Sequence, residues 1–370
     1  MSFVDTYREM NWDDVGMSIY SKNTDDVQRA LSKSVRDLDD FKALISPAAK
    51  PFLEQMAQMS YSLTRQRFGS TVSLYIPLYL SNLCANVCSY CGFSMENKIK
   101  RKTLNTVELE AEVNAIKRMK FDSVLLVTGE HETKVGMAYF REVLPLIKRK
   151  FSYVAMEVQP LDQENYAELK RLGLDAVMVY QETYHPSTYA EHHLRGKKKD
   201  FFYRLETPDR LAKAGVDKIG LGALIGLDDW RTDCFYVASH LAYLERTYWK
   251  TRYSISFPRL RPCQGKLQPK SVMTDRDLVQ LICAYRLVNS EVDLSLSTRE
   301  SASFRDNVLP LGVTSMSAAS KTQPGGYAKN SRELEQFEIS DDRSAASVES
   351  MIRAQGLDPM WRDWHSVYSG

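Results

Sequence analysis

At 370 residues, 44% hydrophobic and 26% charged, the chain has the composition of a soluble globular protein, long enough for one large barrel or two ordinary domains. Its 49 basic and 47 acidic residues leave a formal charge of +2, which argues against nucleic acid or an anionic membrane as a main partner. No apolar run reaches membrane-spanning length, and the opening MSFVDTYREMNWDDVGMS lacks a basic stretch followed by an apolar one, so the expectation is a cytoplasmic protein with reduced thiols.

Residues 1–70 read as a helical extension, with apolar residues at helical spacing in DDVQRALSKSVRDLDDFKALI. From residue 71 a different rhythm begins. β-branched or apolar runs recur at 71–80, 121–128, 151–158, 174–181, 216–224, 253–260, 292–300 and 308–317, most of them separated by helical patterns. Asn105 or Thr106 can cap TVELEAEVNAIKRM, Thr207 with Pro208 opens a helix that Gly215 closes, and Thr274 with Asp277 opens DRDLVQLICAYRLV. Eight strands alternating with helices over roughly 250 residues predict an α/β fold, a (β/α)8 TIM-type barrel spanning 71–326. An open doubly wound sheet is the competing arrangement. The tail, 327–370, reads as helical and packed on the barrel, with one more helix ending at Gly356 before an aromatic terminus.

Directly after the first strand run stands YLSNLCANVCSYCGFS. Three of six cysteines, Cys84, Cys88 and Cys91, fall here with spacing C-x3-C-x2-C, at the loop position where barrels carry their sites. Clustered thiols in a reducing compartment read as metal ligands. Iron–sulfur clusters usually take four cysteines, so three thiolates on a four-iron cube leave one iron open to a ligand that is not protein. Cys234 and Cys283 sit in predicted helices as small buried hydrophobes. Cys263, beyond the sixth strand run, competes for the open position. A zinc site completed by a distant residue, or three coincidental buried thiols, stay open as alternatives.

Polar residues gather at the expected carboxyl ends of the strands: Thr128, Gly129, Glu130 and His131; Glu157 and Gln159; Tyr180, Gln181, Glu182 and Tyr184; Arg259 and Arg261; Ser297, Thr298 and Arg299; Ser315, Ser317, Ser320 and Lys321. Convergence on the face that carries the cysteines favours one site, although each residue singly could cap a helix or pair on the surface. The Gly-x-Gly of GLGALIG is a weak dinucleotide signal, because its third glycine is displaced and the next helix starts only near Trp230. Glycines there suit a close approach of a ligand to the backbone. The run RGKKKD, 195–200, reads as a solvated loop, with partner docking or a lid as the lesser alternative.

CANVCSYC, with Tyr90 before its last cysteine, resembles the signature of radical S-adenosylmethionine (SAM) enzymes. The resemblance implies a 4Fe–4S cluster on Cys84, Cys88 and Cys91, with SAM chelating the fourth iron and being cleaved to methionine and a 5′-deoxyadenosyl radical. It places Gly129 and Glu130 near the methionine amino group, Glu157 and Glu182 among the SAM contacts, and Arg204 at the SAM carboxylate. Further along, LLVTGEH, MEVQPL, GLDAVMVYQETYH, KDFFYRLETPDR, IGLGALIGL, SFPRLRPC, LSLSTRE and SKTQPGGY occur in order. With them nearly the whole chain is similar to the 2-iminoacetate synthase family, the tyrosine lyases of bacterial thiamine thiazole biosynthesis. That implies L-tyrosine as substrate, thiazole synthase as protein partner, and a flavodoxin or ferredoxin as electron donor. A planar guanidinium suits an amino-acid carboxylate, which makes Arg299 with Ser317 or Ser320 the candidate clamp. The tyrosine lyase of iron–iron hydrogenase maturation is a related alternative, but it carries a C-terminal cluster on cysteines, and no cysteine follows Cys283 here. A tryptophan lyase would differ in its pocket, and a non-catalytic zinc or iron–sulfur scaffold is the reading from another class.

Overall fold

The computed structural model describes residues 2–261, 267–329 and 335–362. In the N-terminal region, short helices begin at side chains that take up the free N–H groups of the first turn. Asn11 accepts from Asp13 and Asp14, Asn23 from Asp25 and Asp26, and Asp37 from Asp39 and Asp40. Their apolar faces, with Ile19, Val27, Phe41 and Leu44 fully buried, join the core shared with helices Trp230–Thr247 and Asp275–Val288. Arg231 and Gln280 fasten the two layers by donating to the carbonyls of Ile45 and Leu44 at 2.8 Å.

Eight parallel strands then close on themselves: Thr71–Ser81 (β1), Ser123–Thr128 (β2), Tyr153–Glu157 (β3), Ala176–Met178 (β4), Lys218–Leu221 (β5), Arg252–Ser256 (β6), Asp293–Leu296 (β7) and Ser315–Ser317 (β8). Sequence neighbours are spatial neighbours, and at least one helix lies between each pair. β8 returns to β1 with Ser73, Leu74 and Tyr75 opposite Ser315, Met316 and Ser317. The molecule is therefore a (β/α)8 barrel, and the open sheet is excluded. Local signals explain the connecting helices. Asn105 and Glu108 form a reciprocal capping box at Thr106–Arg118, and Thr274 and Asp277 do so at Asp275–Val288.

Three elements differ from the sequence expectation. The first half of the run 308–317 belongs to a helix, Ala302–Gly312, capped by Ser301; only Ser315–Ser317 is strand. Phe304, Arg305, Val308 and Leu309 are all buried, a helical spacing that outweighs the β-branched look of the segment. Thr207 does not cap its helix but lies inside Thr207–Lys213, its hydroxyl donating to the Tyr203 carbonyl. The tail carries the expected helix, Ala345–Ala354, and also a strand, Asp358–Met360 (β9). β9 pairs parallel with Thr71–Ser73, on the edge of β1 opposite β8 and below the stretch, Ile76–Ser81, that pairs with β2.

The barrel interior is not filled throughout by branched side chains. Ser73, Ser123, Ser254, Ser256, Ser295 and Ser315 line a cavity of about 80 Å³ with Tyr153 and Lys218, bounded also by Met360 and Arg362 of the tail. Tyr75 and Tyr180 line both this cavity and a larger one at the carboxyl ends of the strands.

Candidate active site

The larger cavity, about 190 Å³, is walled by the loop after β1 and by residues at the ends of most other strands. That loop carries Cys84, Cys88 and Cys91, all three on the cavity wall. Its shape is set by Arg101, whose guanidinium donates to the carbonyls of Asn82, Phe93, Ser94 and Asn97 at 2.7–3.1 Å. Gly129 sets how closely the loop approaches β2. A Cβ there would stand 2.4 Å from the Leu83 carbonyl oxygen, and the Ala85 N–H donates to the Glu130 carbonyl at 2.8 Å.

Among the described residues no group of three His, Cys, Asp or Glu side chains is set to hold a single metal ion. The Asn86 N–H and the Gln336 amide point at the sulfurs of Cys84 and Cys91 at 3.5 and 3.7 Å, donors that a thiolate uses. Burial pushes all three thiols above the ordinary range, and Glu130 adds to this for Cys84. Thiolates in this place call for a strong positive charge beside them, which iron supplies. Cys234 and Cys283 are buried in helices away from the cavity, whereas Cys263 lies outside the described residues.

Beside the cysteines four charges interlock. Arg204 pairs with Glu130 at 3.0 Å and approaches Glu182 at 3.6 Å, while its Nε donates to the Tyr180 carbonyl. Lys198 pairs with Glu182 at 2.6 Å and stands 3.9 Å from Glu130, and Asn86 donates to Glu130 at 2.8 Å. Burial alone would raise both carboxyls. The two cations more than reverse it, holding Glu130 and Glu182 below the usual carboxylate range. Glu182 has φ +71°, a left-handed conformation that non-glycine residues adopt where the surroundings demand it.

Lys198 corrects the sequence expectation for 195–200. The segment is not a plain solvated loop, because His193–Arg195 pairs antiparallel with Val87–Cys88 of the cysteine loop. Tyr90 donates to His193 Nε2 at 2.7 Å, and the other ring nitrogen contacts the Tyr189 carbonyl at 2.7 Å. Burial, then Lys198, hold the His193 pKa down to about 2, so the ring stays neutral. Only the long-range pairing with Val87–Cys88 reveals this strap; a run of three lysines shows no sign of it.

Across the cavity, Arg299 stacks its guanidinium 3.5 Å from the centroid of Phe337 and pairs with no carboxylate among the described residues. Ser317 Oγ accepts from the Thr298 N–H at 3.1 Å, leaving its own proton to give. The buried hydroxyls of Ser320 and Thr128 and the Nε of Arg261 have no partner among the described residues, and all three residues line the cavity. Unsatisfied buried polar atoms gathered on one cavity are what a polar ligand would satisfy. Glu157, at the end of β3, lines the same cavity outside the ion-pair network.

Other strand-end residues have structural work instead. Gln159 and Gln181 donate to the Val135 and Phe201 carbonyls, Tyr184 meets His240, and Arg259 pairs with Glu300. His131 and Lys321 do not line the cavity, and Ser315 lines the lower one. The first two glycines of GLGALIG make room for neighbouring protein atoms: a Cβ at Gly220 would meet the Met178 sulfur, and one at Gly222 the Ser256 carbonyl oxygen and then the Tyr180 ring.

Two family models match the chain, the Radical SAM superfamily over residues 78–233 and the Biotin and Thiamin Synthesis associated domain over residues 256–358. The chain is 61% identical over 366 residues, 99% of its own length and 97% of the relative's, to the 2-iminoacetate synthase of Salmonella typhimurium LT2. Identity and coverage are the same for the 2-iminoacetate synthase of Escherichia coli K12. Among solved structures, it matches the FeFe-hydrogenase maturase HydG from Carboxydothermus hydrogenoformans with a TM-score of 0.84 at 30% identity, covering 94% of this chain and 80% of that one. Methylornithine synthase shares the fold, with a TM-score of 0.71 at 19% identity over 92% of this chain and 99% of that one.

Proposed function

The chain belongs to the 2-iminoacetate synthase family of radical SAM enzymes, and from that premise we propose that it cleaves the Cα–Cβ bond of L-tyrosine. The products are 2-iminoacetate (dehydroglycine) and p-cresol, with SAM consumed to methionine and 5′-deoxyadenosine, in the supply of thiamine thiazole biosynthesis. One observation carries the reading: identity of 61% that runs the length of both chains. Against the hydrogenase-maturation alternative the identity is 30%, and this chain spans 80% of that one.

Family membership implies a 4Fe–4S cluster and SAM, which when bound supply the radical that abstracts hydrogen from the substrate. Cys84, Cys88 and Cys91, all on the cavity wall, would hold the cluster. Gly129, Glu130, Glu157, Glu182 and Arg204 would receive SAM, with the Glu130–Arg204–Glu182–Lys198 network offering both a carboxylate and a cation to its amino-acid end. Arg299, with Ser317 and Ser320, would fix the tyrosine carboxylate and amino group, and the Phe337 ring would hold the guanidinium plane in place. Residues 71–326 would form the catalytic unit, with 1–70 and 327–370 as its supports. Thiazole synthase would take up the imine, and a flavodoxin or ferredoxin would supply the electron.

The test is anaerobic incubation of the reconstituted, reduced protein with SAM and tyrosine. The expected products are p-cresol and 5′-deoxyadenosine in step. Deoxyadenosine without p-cresol would overturn the substrate while leaving the class, and Cys88→Ala should release neither.

A further inference from the structure

Each turnover of the proposed reaction draws on an electron that must enter where the cysteine loop comes nearest the surface. Two segments bracket that loop, 95–102 and 193–199. Met95 N–H donates to the Asn86 carbonyl at 2.8 Å, and Lys198 N–H donates to the Asn86 side chain at 3.1 Å. The segments also meet each other, Arg195 standing 3.8 Å from Glu96.

In a chain of net charge +2, these fifteen residues hold eight cations, four in each segment, against the single acid Glu96. Three of the eight are spent inside: Arg101 on loop carbonyls, Lys102 on Glu108 and Lys198 on Glu182. The remaining five, Lys98, Lys100, Arg195, Lys197 and Lys199, are exposed. Arg195 faces Glu96 and Lys197 pairs with Glu132, while Lys98, Lys100 and Lys199 have no carboxylate partner among the described residues. Set among them are two exposed apolar side chains, Met95 at 40% and Leu194 at 52% exposure.

We propose that this face, 95–102 with 193–199, is the docking surface for a small acidic electron-carrier protein of the flavodoxin kind. The proposal rests on the functional reading above, which requires such a donor. Unpaired cations around a small apolar centre suit a transient complex steered by charge, as electron-transfer partners form. Cys88 pairs in the strap with His193, two residues from Arg195, so a carrier seated here lies against the cluster loop itself. One electron leaves the fully reduced flavin of the carrier and one arrives at the cluster, with the carrier departing oxidised by one electron.

The variant Lys98→Glu/Lys100→Glu/Lys199→Glu alters none of the residues assigned to cluster, SAM or tyrosine. Binding of a bacterial flavodoxin to the reconstituted full-length protein is measured by titration calorimetry at low ionic strength. The triple variant should weaken it at least tenfold, and salt should weaken wild-type binding in the same direction. The second readout is 5′-deoxyadenosine release driven by reduced flavodoxin, divided by release driven by dithionite. That ratio should fall about tenfold in the variant while the dithionite rate holds. Unchanged affinity, or an unchanged ratio, overturns the docking surface. So does a variant that loses binding to thiazole synthase and keeps flavodoxin. If deoxyadenosine release depends on the carrier as expected but p-cresol never forms, the substrate reading fails and the docking surface stands.

Discussion

Glu157 faces the cavity with no ion pair or hydrogen bond to a described residue, in contrast to Glu130 and Glu182 after the two neighbouring strands. Burial raises its carboxyl from the ordinary 4.5 to about 7, and Arg299 only partly opposes this. The sign of the linkage follows. Between pH 4.5 and 7 the folded chain keeps a proton at Glu157 that the unfolded chain gives up, so this group lowers stability as pH rises through that window. At 1.36 kcal/mol per unit the effect is on the order of 3–3.5 kcal/mol above pH 7. Glu157→Gln should flatten the slope, with urea midpoints of cluster-free protein converging with wild type at pH 5 and exceeding it at pH 7.5; parallel profiles for the two proteins would show that Glu157 does not carry the shift. The residue itself was legible in the sequence from its place after a strand, as were the cysteines, Glu130, Glu182 and Arg299. What spacing could not show was which charges cancel each other. Lys198 looks like its solvated neighbours until tertiary contacts bury it, and Arg101 looks like one more surface cation although four loop carbonyls depend on it.

The strap at 193–199 begins at His193, where the Tyr90–His193 hydrogen bond ties it to the cysteine loop. Tyr90→Phe keeps the ring and removes the donor, leaving a fully buried imidazole nitrogen facing an apolar edge. That costs about 1–3 kcal/mol, to be read as a lower melting temperature of cluster-free protein together with less iron and sulfide retained per chain. His193→Phe also gives up the Nδ1 hydrogen bond to the Tyr189 carbonyl, so the Tyr90 bond is weighed by a cycle of Tyr90→Phe, His193→Phe and the double variant, in which the two single losses should sum to more than the loss in the double. Additive losses would locate the effect elsewhere than in this bond. Elements with a strong local signal were legible: all eight barrel strands overlap their apolar runs, and Asn105 and Thr274 cap as their spacing implies. β9 was not, because Asp-Pro-Met has no alternation to read. It is a strand only since its Asp358 N–H finds the Ser70 carbonyl at 2.8 Å and β1 extends far enough down to pair with it.

At the scale of the whole molecule, the tail holds one wall of the cavity in place. Arg305, on the helix before β8, and Asp341 of the tail form an ion pair with both side chains wholly buried, and Arg305 also donates to the Ser317 carbonyl. Ser340 and Asp341 N–H groups both reach the Thr298 carbonyl, at 2.9 and 3.2 Å, so the chain just before Arg299 is pinned by the segment that carries Phe337. Removing one partner of such a pair leaves a charge in the core, which costs about 3–5 kcal/mol. Asp341→Ala should therefore lose that much stability by urea unfolding. Because the Thr298–Ser317 wall slackens with it, the KM for tyrosine should rise more than deoxyadenosine release falls. Replacing both charges, as Arg305→Met/Asp341→Leu, should restore part of the stability, since an apolar pair of similar volume is commonly as stable as a buried ion pair, while Arg343 loses Asp341 and keeps Asp306. The KM then decides what the pair is for. If it stays high in the refolded double variant, the hydrogen bonds from Arg305 to Ser317 and from the tail to Thr298 position the clamp; if it returns to the wild-type value, the ion pair serves only to fasten the tail.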